Sequence, residues 1–128
     1  MKIKLNKIAS ILAFIIGAMA VFAGGQVLLG QMPDYYVIDW LPIYNFSAGV
    51  VACLVTAILI WKDHKYAIPA SIATLGFHII VMVFLQTSYH SVVAPDSIRA
   101  MTIRIITWAV ILTIIFVQSR IKNNSQAY

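Results

Sequence analysis

The stretch Ser97–Phe116, SIRAMTIRIITWAVILTIIF, decides the fold class, because it reads as a membrane-spanning helix. About 20 predominantly apolar residues are needed to cross the hydrocarbon core of a bilayer. Arg104 nevertheless lies inside this stretch, and Arg99 lies near its start. Arginine is rare within membrane helices and marks a candidate functional residue there. The stretch therefore predicts a transmembrane helix that carries a charged group.

The composition of the whole chain indicates the same class. Of its 128 residues, 62% are hydrophobic and only 10% are charged, and the mean hydropathy is +0.91. A soluble domain carries about 25% charged residues. Glutamate is absent, and the acids are Asp34, Asp39, Asp63 and Asp96. We therefore predict an integral membrane protein.

Several function classes are disfavoured by the same counts. The net charge of +5 does not indicate nucleic acid, because the basic residues cluster at the ends of apolar segments rather than along one stripe. The single cysteine, Cys53, excludes an intrachain disulfide and CxxC redox chemistry within this chain. No Ser-His-Asp set or metal-ligand spacing is apparent, so an enzyme is not favoured.

Four apolar segments are long enough to span a membrane, at about residues 8–29, 41–61, 67–85 and 98–117. The connections between them are short, so we expect an all-α, antiparallel four-helix bundle that forms one domain over residues 1–128. Seven basic residues would share one side: Lys2, Lys4, Lys7, Lys62, Lys65, Arg120 and Lys122. The positive-inside rule then places both termini in the cytoplasm.

The first 23 residues also resemble a cleavable signal peptide, with a basic start, an apolar middle and small residues at Val21 and Ala23. The apolar run continues through Val27–Leu29, which favours a retained helix. Small residues recur on one face of this helix, which would let another helix approach closely, whether from this chain, from a second copy in a homo-oligomer or from a partner membrane protein. They are Ala13, Gly17, Ala20 and Gly24.

His78 lies near the middle of the third segment, and Asn45 lies in the second. Each needs a hydrogen-bond partner in lipid, so each is either a satisfied core residue or a ligand contact. For His78, proton handling and ligation of a haem or metal also stay open. His78 and His90 are twelve residues apart, about 18 Å along one helix. His64 belongs to the opposite membrane side. Haem held by two histidines of one chain is therefore excluded.

Arg104 and His78 are predicted to lie at nearly the same depth in the outer half of the membrane. Asn45 and Tyr44 on the second helix and Gln26 on the first belong to the same layer, which predicts an outward-opening polar pocket. Three roles for Arg104 stay open: reaching the headgroups, pairing with an internal polar group, or binding a ligand.

The layout resembles that of the DoxX-like group of small four-helix bacterial membrane proteins. The resemblance rests on GAMAVFAGGQVLLG at the end of the first helix, a polar break, LPIYNFSAGVVACLVTAILIW and a short basic turn. Members often carry an acidic residue in the second span, where this chain has Asn45. The resemblance implies an inner-membrane protein of redox-associated or undefined role and brings no catalytic residues with it.

Two functions follow as hypotheses. The first is binding of a lipid, quinone or isoprenoid headgroup by Arg104 and His78, supported by Asn45, Tyr44 and Gln26. The second is an accessory subunit in which Arg104 pairs with an acid of a partner protein. A small proton-coupled transporter is disfavoured, because no span contains a carboxylate.

Overall fold

The structure, a computed structural model, describes residues 5–126, with side chains described up to residue 121. The helices are α1 (Leu5–Leu28), α2 (Leu41–Trp61), α3 (Ala67–Gln86) and α4 (Pro95–Gln126). All four contain a segment long and apolar enough to cross a membrane. The predicted helical class is thus confirmed for the described residues, and it suggests a multi-pass membrane protein.

The predicted boundaries agree for α2 and differ by one residue at the end of α3, whereas α1 and α4 begin about three residues earlier than predicted. Pro95 opens α4 because a proline fits the first helical turn, where its missing N–H is not needed. The same helix continues to Gln126, past the predicted end at about residue 117. The polar residues that follow Val117 include no glycine or proline to end it.

Two residues with positive φ end helices at sharp turns. Gly30 follows α1 with φ of 95°, and the amide of Gln31 donates to the carbonyl of Gln26 at 2.9 Å. This is a Schellman motif, in which glycine meets no steric penalty in the left-handed region. Asp63, with φ of 53°, ends α2 in the same way.

The helices form a bundle with one open side. α1 packs along both α2 and α4, and α3 packs on α4. α2 and α3 are joined by the short turn at residues 62–66, yet their backbones approach each other closely mainly over the later part of α2. The order around the bundle is therefore α2, α1, α4, α3, with a gap between α2 and α3.

Contacts near the helix ends show how the helices are aligned. The amide of Leu5 donates to Oε1 of Gln118 at 2.9 Å, and Nδ2 of Asn6 donates to the carbonyl of Ile60 at 3.1 Å. The start of α1 therefore lies beside the late parts of α2 and α4. We call this side of the bundle the terminal end, and the opposite side, with the two longer connections, the loop end.

The small-residue face of α1 is packed against α2 of the same chain. A Cβ on Gly24 would lie 2.6 Å from the carbonyl oxygen of Pro42, and one on Gly49 would lie 2.6 Å from the carbonyl oxygen of Gly17. These distances are too short for any side chain. The face does pack a helix, as its spacing predicts, but a partner chain would have to use another surface. Its buried members are Ala13, Gly17, Ala20 and Gly24.

Buried apolar side chains form two clusters. The larger cluster lies towards the terminal end and includes Ile60 and Trp108, whereas the smaller lies towards the loop end and includes Leu85 and Met101. On α2, α3 and α4, the residues between these clusters include the polar side chains of the candidate site.

Candidate functional site

Arg104 lies on α4 between the two apolar clusters, and it is only 6% exposed. Its Nη1 donates to Oδ1 of Asn45 on α2 at 2.6 Å and to Sδ of Met101 at 3.5 Å. The shorter distance is typical of a charge-assisted hydrogen bond. Of the three roles predicted for Arg104, the structure therefore shows pairing with an internal polar group rather than a side chain extended towards the loop end.

The partners of this guanidinium among the described residues are neutral, an amide oxygen and a thioether sulfur. A buried cation without a counter-charge is unfavourable, because little in a low-dielectric interior replaces its hydration. Arg104 and His78 both border a void of about 10 Å³. That volume is close to the smallest that can hold one water molecule.

Tyr44 and His78 form the second polar pair of this layer. The Tyr44 hydroxyl and Nδ1 of His78 are 2.6 Å apart, and the tautomer of the imidazole decides which of them donates. The two rings meet edge to face at 5.8 Å. His78 is 4% exposed, so the pair connects the interior of α3 to the early part of α2.

A groove of about 380 Å³ runs between α2 and α3, on the open side of the bundle. Small side chains leave the space, because alanines and hydroxyl residues stand where larger residues would fill it. From Tyr44 to Thr56 it follows α2 for twelve residues, about 18 Å at the rise of a helix. Its lining residues are Tyr44, Ser47, Ala48, Val51, Val55 and Thr56 on α2, and Ala70, Ala73, Thr74, Phe77 and His78 on α3.

This groove differs from the outward-opening polar pocket that the sequence predicts. The polar side chains bond to one another in pairs, so they close the space between them. His78 borders both the groove and the void beside Arg104, and it therefore separates the guanidinium from the groove. The open space is apolar, and only one end of it reaches the polar layer.

Four of the five predicted site residues are brought together: Tyr44, Asn45, His78 and Arg104. Gln26 is not among them, because its Nε2 donates to Oε1 of Gln31 at 3.4 Å, beyond the end of α1. Depth along a helix was readable from the sequence, whereas the direction in which Gln26 points was not.

Sequence reasoning missed three parts of the site. Met101 is one turn before Arg104, a spacing that could have suggested the contact. The stripe of small residues at 70, 73 and 74 on α3 could have suggested the groove. Thr56 is the last residue of the π-helical segment Ala52–Thr56, and we find no sequence signal for that segment.

Among the described residues, no group of three or more His, Cys, Asp or Glu side chains is arranged to hold a metal ion. His64 accepts the amide of Tyr66 at its Nδ1, near the terminal end, whereas His78 is bonded to Tyr44. Comparisons of the chain with protein-family models, curated proteins and solved structures find no match. The function is therefore inferred from the polar layer and the groove.

Proposed function

We propose that the chain is a multi-pass protein of a bacterial inner membrane, with four antiparallel helices and both termini in the cytoplasm. The contacts of Leu5 with Gln118 and of Asn6 with Ile60 support the alternating directions. Lys7, Lys62, Lys65 and Arg120 belong to the terminal end, which supports a cytoplasmic side by the positive-inside rule. Lys2, Lys4 and the side chain of Lys122 lie outside the described residues.

Within this arrangement, the function that the geometry supports best is binding of a long amphiphile in the α2–α3 groove. One observation carries the proposal: an apolar groove of about 380 Å³ ends at the hydrogen-bonded pair of half-buried Tyr44 and buried His78. Ligand sites are commonly apolar clefts of this size with a few placed polar groups. The gap between α2 and α3 also gives a ligand a lateral entry from the bilayer.

The polar pair suits an oxygen-bearing headgroup. A phenol and an imidazole can each donate or accept a hydrogen bond, so they fit a quinone carbonyl, an isoprenoid alcohol or the oxygens of a lipid headgroup. Arg104 lies behind His78, and its unneutralised charge favours an electron-rich group at the groove end. Arg104 therefore polarises the pair through its charge, and Asn45 holds the guanidinium in place, instead of touching the ligand as the sequence suggests.

The accessory-subunit function has less support from the structure than from the sequence. Arg104 is buried and bonded to Asn45, so its guanidinium is not presented to an acid of a partner protein. A partner helix would have to approach through the open α2–α3 side. A stoichiometric partner protein that is lost from the purified Arg104→Leu variant would favour this function over ligand binding.

Native mass spectrometry of the purified full-length chain in detergent tests the groove. Three probes cover the candidate headgroups: decylubiquinone, farnesol and phosphatidylglycerol. We expect one of them to bind the wild-type chain at a one-to-one ratio. The Ala73→Leu variant should not bind it, because a larger side chain then occupies the groove. Tyr44→Phe should weaken the same complex about tenfold, because the hydrogen-bonding hydroxyl is removed.

Tyr36→Phe is the matched control, because Tyr36 is exposed in the connection before α2 and does not line the groove. It should bind the probes as the wild-type chain does. Binding of none of the three probes, or equal binding by the Ala73→Leu variant, would contradict the proposed function.

A further inference from the structure

Thr56 differs from every other threonine of the chain in the state of its hydroxyl. The other five donate to the carbonyl four residues earlier, at 2.7–2.9 Å: Thr74, Thr87, Thr102, Thr107 and Thr113. Within the described part of the chain, the hydroxyl of Thr56 has no hydrogen-bond partner. The residue is nevertheless 1% exposed. A threonine in an apolar helix normally satisfies its hydroxyl by this backbone bond, so the exception needs an explanation.

Thr56 is the last residue of the π-helical segment Ala52–Thr56, in which the backbone pairing is shifted by one residue. The amide of Ala57 donates to the carbonyl of Ala52, five residues earlier. That carbonyl lies four residues before Thr56, at the position to which the other threonine hydroxyls bond. Short π segments inside α-helices change which backbone groups are paired and occur frequently at functional sites.

Thr56 also has a defined place in the groove. It lines the groove from α2, at the end away from Tyr44 and His78. Twelve residues separate Tyr44 from Thr56, so the two ends are about 18 Å apart along the helix. The groove therefore has a polar pair at one end, an unpaired hydroxyl at the other and mostly apolar side chains between them.

We propose that Thr56 is a second anchor of the groove, and that the ligand is a long apolar chain with an oxygen function at each end. One oxygen binds at the Tyr44–His78 pair, and the other exchanges a hydrogen bond with the Thr56 hydroxyl. This inference rests on the proposed binding function and narrows its ligand class. A quinone ring, whose carbonyls lie on one small ring, cannot reach both anchors with its carbonyls.

The physical reason for the selectivity is the cost of an unpaired hydroxyl. A chain with one polar end would place hydrocarbon against Thr56 and leave its buried hydroxyl unsatisfied, whereas an oxygen at the second end would form a hydrogen bond with it. A site that can hydrogen-bond a ligand oxygen discriminates against the analogue that lacks that oxygen. Thr56 is thus a specificity-determining residue rather than a major source of affinity.

The test compares tetradecanol with the α,ω-diol of the same chain, whose extended length approximates the distance from Tyr44 to Thr56. The measured quantity is the ratio of the two Kd values, obtained by competition in detergent micelles. Partitioning of each probe into the micelle cancels when this ratio is compared between variants. In Thr56→Val, the preference for the diol should fall about fivefold, the factor for one net hydrogen bond of about 1 kcal/mol.

Thr56→Ser keeps the hydroxyl and should retain the wild-type preference. Thr102→Val is the matched control for the substitution, because Thr102 is exposed on α4 and its hydroxyl is bonded to the carbonyl of Ile98. Its ratio should equal that of the wild-type chain. The melting temperatures of all variants show that the folded protein is being compared.

An unchanged Kd ratio in Thr56→Val would overturn the second anchor. The groove proposal would stay intact if tetradecanol still binds the wild-type chain and does not bind the Ala73→Leu variant. Failure of the wild-type chain to bind either alcohol would overturn the anchor, and it would count against groove binding as well.

Discussion

Two helix interfaces on either side of α2 are built in opposite ways. On one side, α2 meets α1 so closely that a Cβ on Gly24 or Gly49 would strike backbone atoms at 2.6 Å. On the other side, α2 and α3 leave a groove of about 380 Å³ between them. Both interfaces are rich in small residues, but those on the first let backbones touch, whereas those on the second leave space.

The comparison teaches that a short connection does not by itself make a close interface. The turn at residues 62–66 joins α2 to α3, yet α2 packs far more extensively on α1. In a membrane, helix association depends on van der Waals packing and on hydrogen bonds between helices. Glycines at the α1–α2 contact permit close packing and hydrogen bonds between these helices. The facing sides of α2 and α3 carry alanines and hydroxyl residues instead, and a cleft lies between them.

Substitution within the close α1–α2 interface should destabilise the protein most. Gly49→Val should lower the free energy of unfolding by about 3 kcal/mol, because its side chain meets the backbone of Gly17 and Val21, which cannot move away cheaply. Unfolding in mixed detergent and dodecyl sulfate measures this quantity. Gly76→Val on α3 is the control, since a Cβ there has nothing within 4 Å. Equal losses in both variants would refute the distinction between the interfaces.

A smaller effect concerns the polar layer that joins α2 to α4. Asn45→Leu should cost about 2 kcal/mol of unfolding free energy, because a hydrogen bond to a charged group is lost and the guanidinium stays buried. In the double variant that also carries Arg104→Leu, the loss of unfolding free energy should be at least 1 kcal/mol smaller than the sum of the two single-variant losses. Strict additivity in this double-mutant cycle would show that the 2.6 Å contact contributes nothing to stability.

The smallest effect on stability belongs to the groove. Ala73→Leu should change the free energy of unfolding by no more than about 0.5 kcal/mol, because the residue is exposed and borders open space. The same substitution should abolish the rise in melting temperature that a bound amphiphile produces. A large loss of stability would mean that α2 and α3 are packed as tightly as α1 and α2.

Much of the fold could be predicted from the sequence, because hydropathy and length define spans directly. The limits of α2 agree with the prediction, and the spacing of Gly17 and Gly24 correctly indicates close packing of a helix. That His78 and Arg104 lie at a common level of the bundle was also predictable, since a helix rises by a fixed amount per residue. The DoxX-like resemblance stays a prediction.

The shape of the site was not predictable, because it depends on facing and on pairing. Tyr44 bonds to His78 and Asn45 bonds to Arg104, so the polar side chains fill the space that the sequence assigns to a pocket. The sequence shows neither the angle between α2 and α3 nor the π-helical turn that ends at Thr56. These features are set by contacts between helices rather than by any one segment.

The separation of the apolar interior into two clusters has a consequence for how the molecule opens. The cluster at the terminal end draws on all four helices, whereas the one at the loop end takes in Ile38 from a connecting segment and no residue of α1. The polar layer lies between them, so we expect the two clusters to open as separate cooperative units, the smaller one more readily. Amide hydrogens at the loop end should exchange with solvent first. The Tyr44–His78 end of the groove should then open locally while its Thr56 end stays closed.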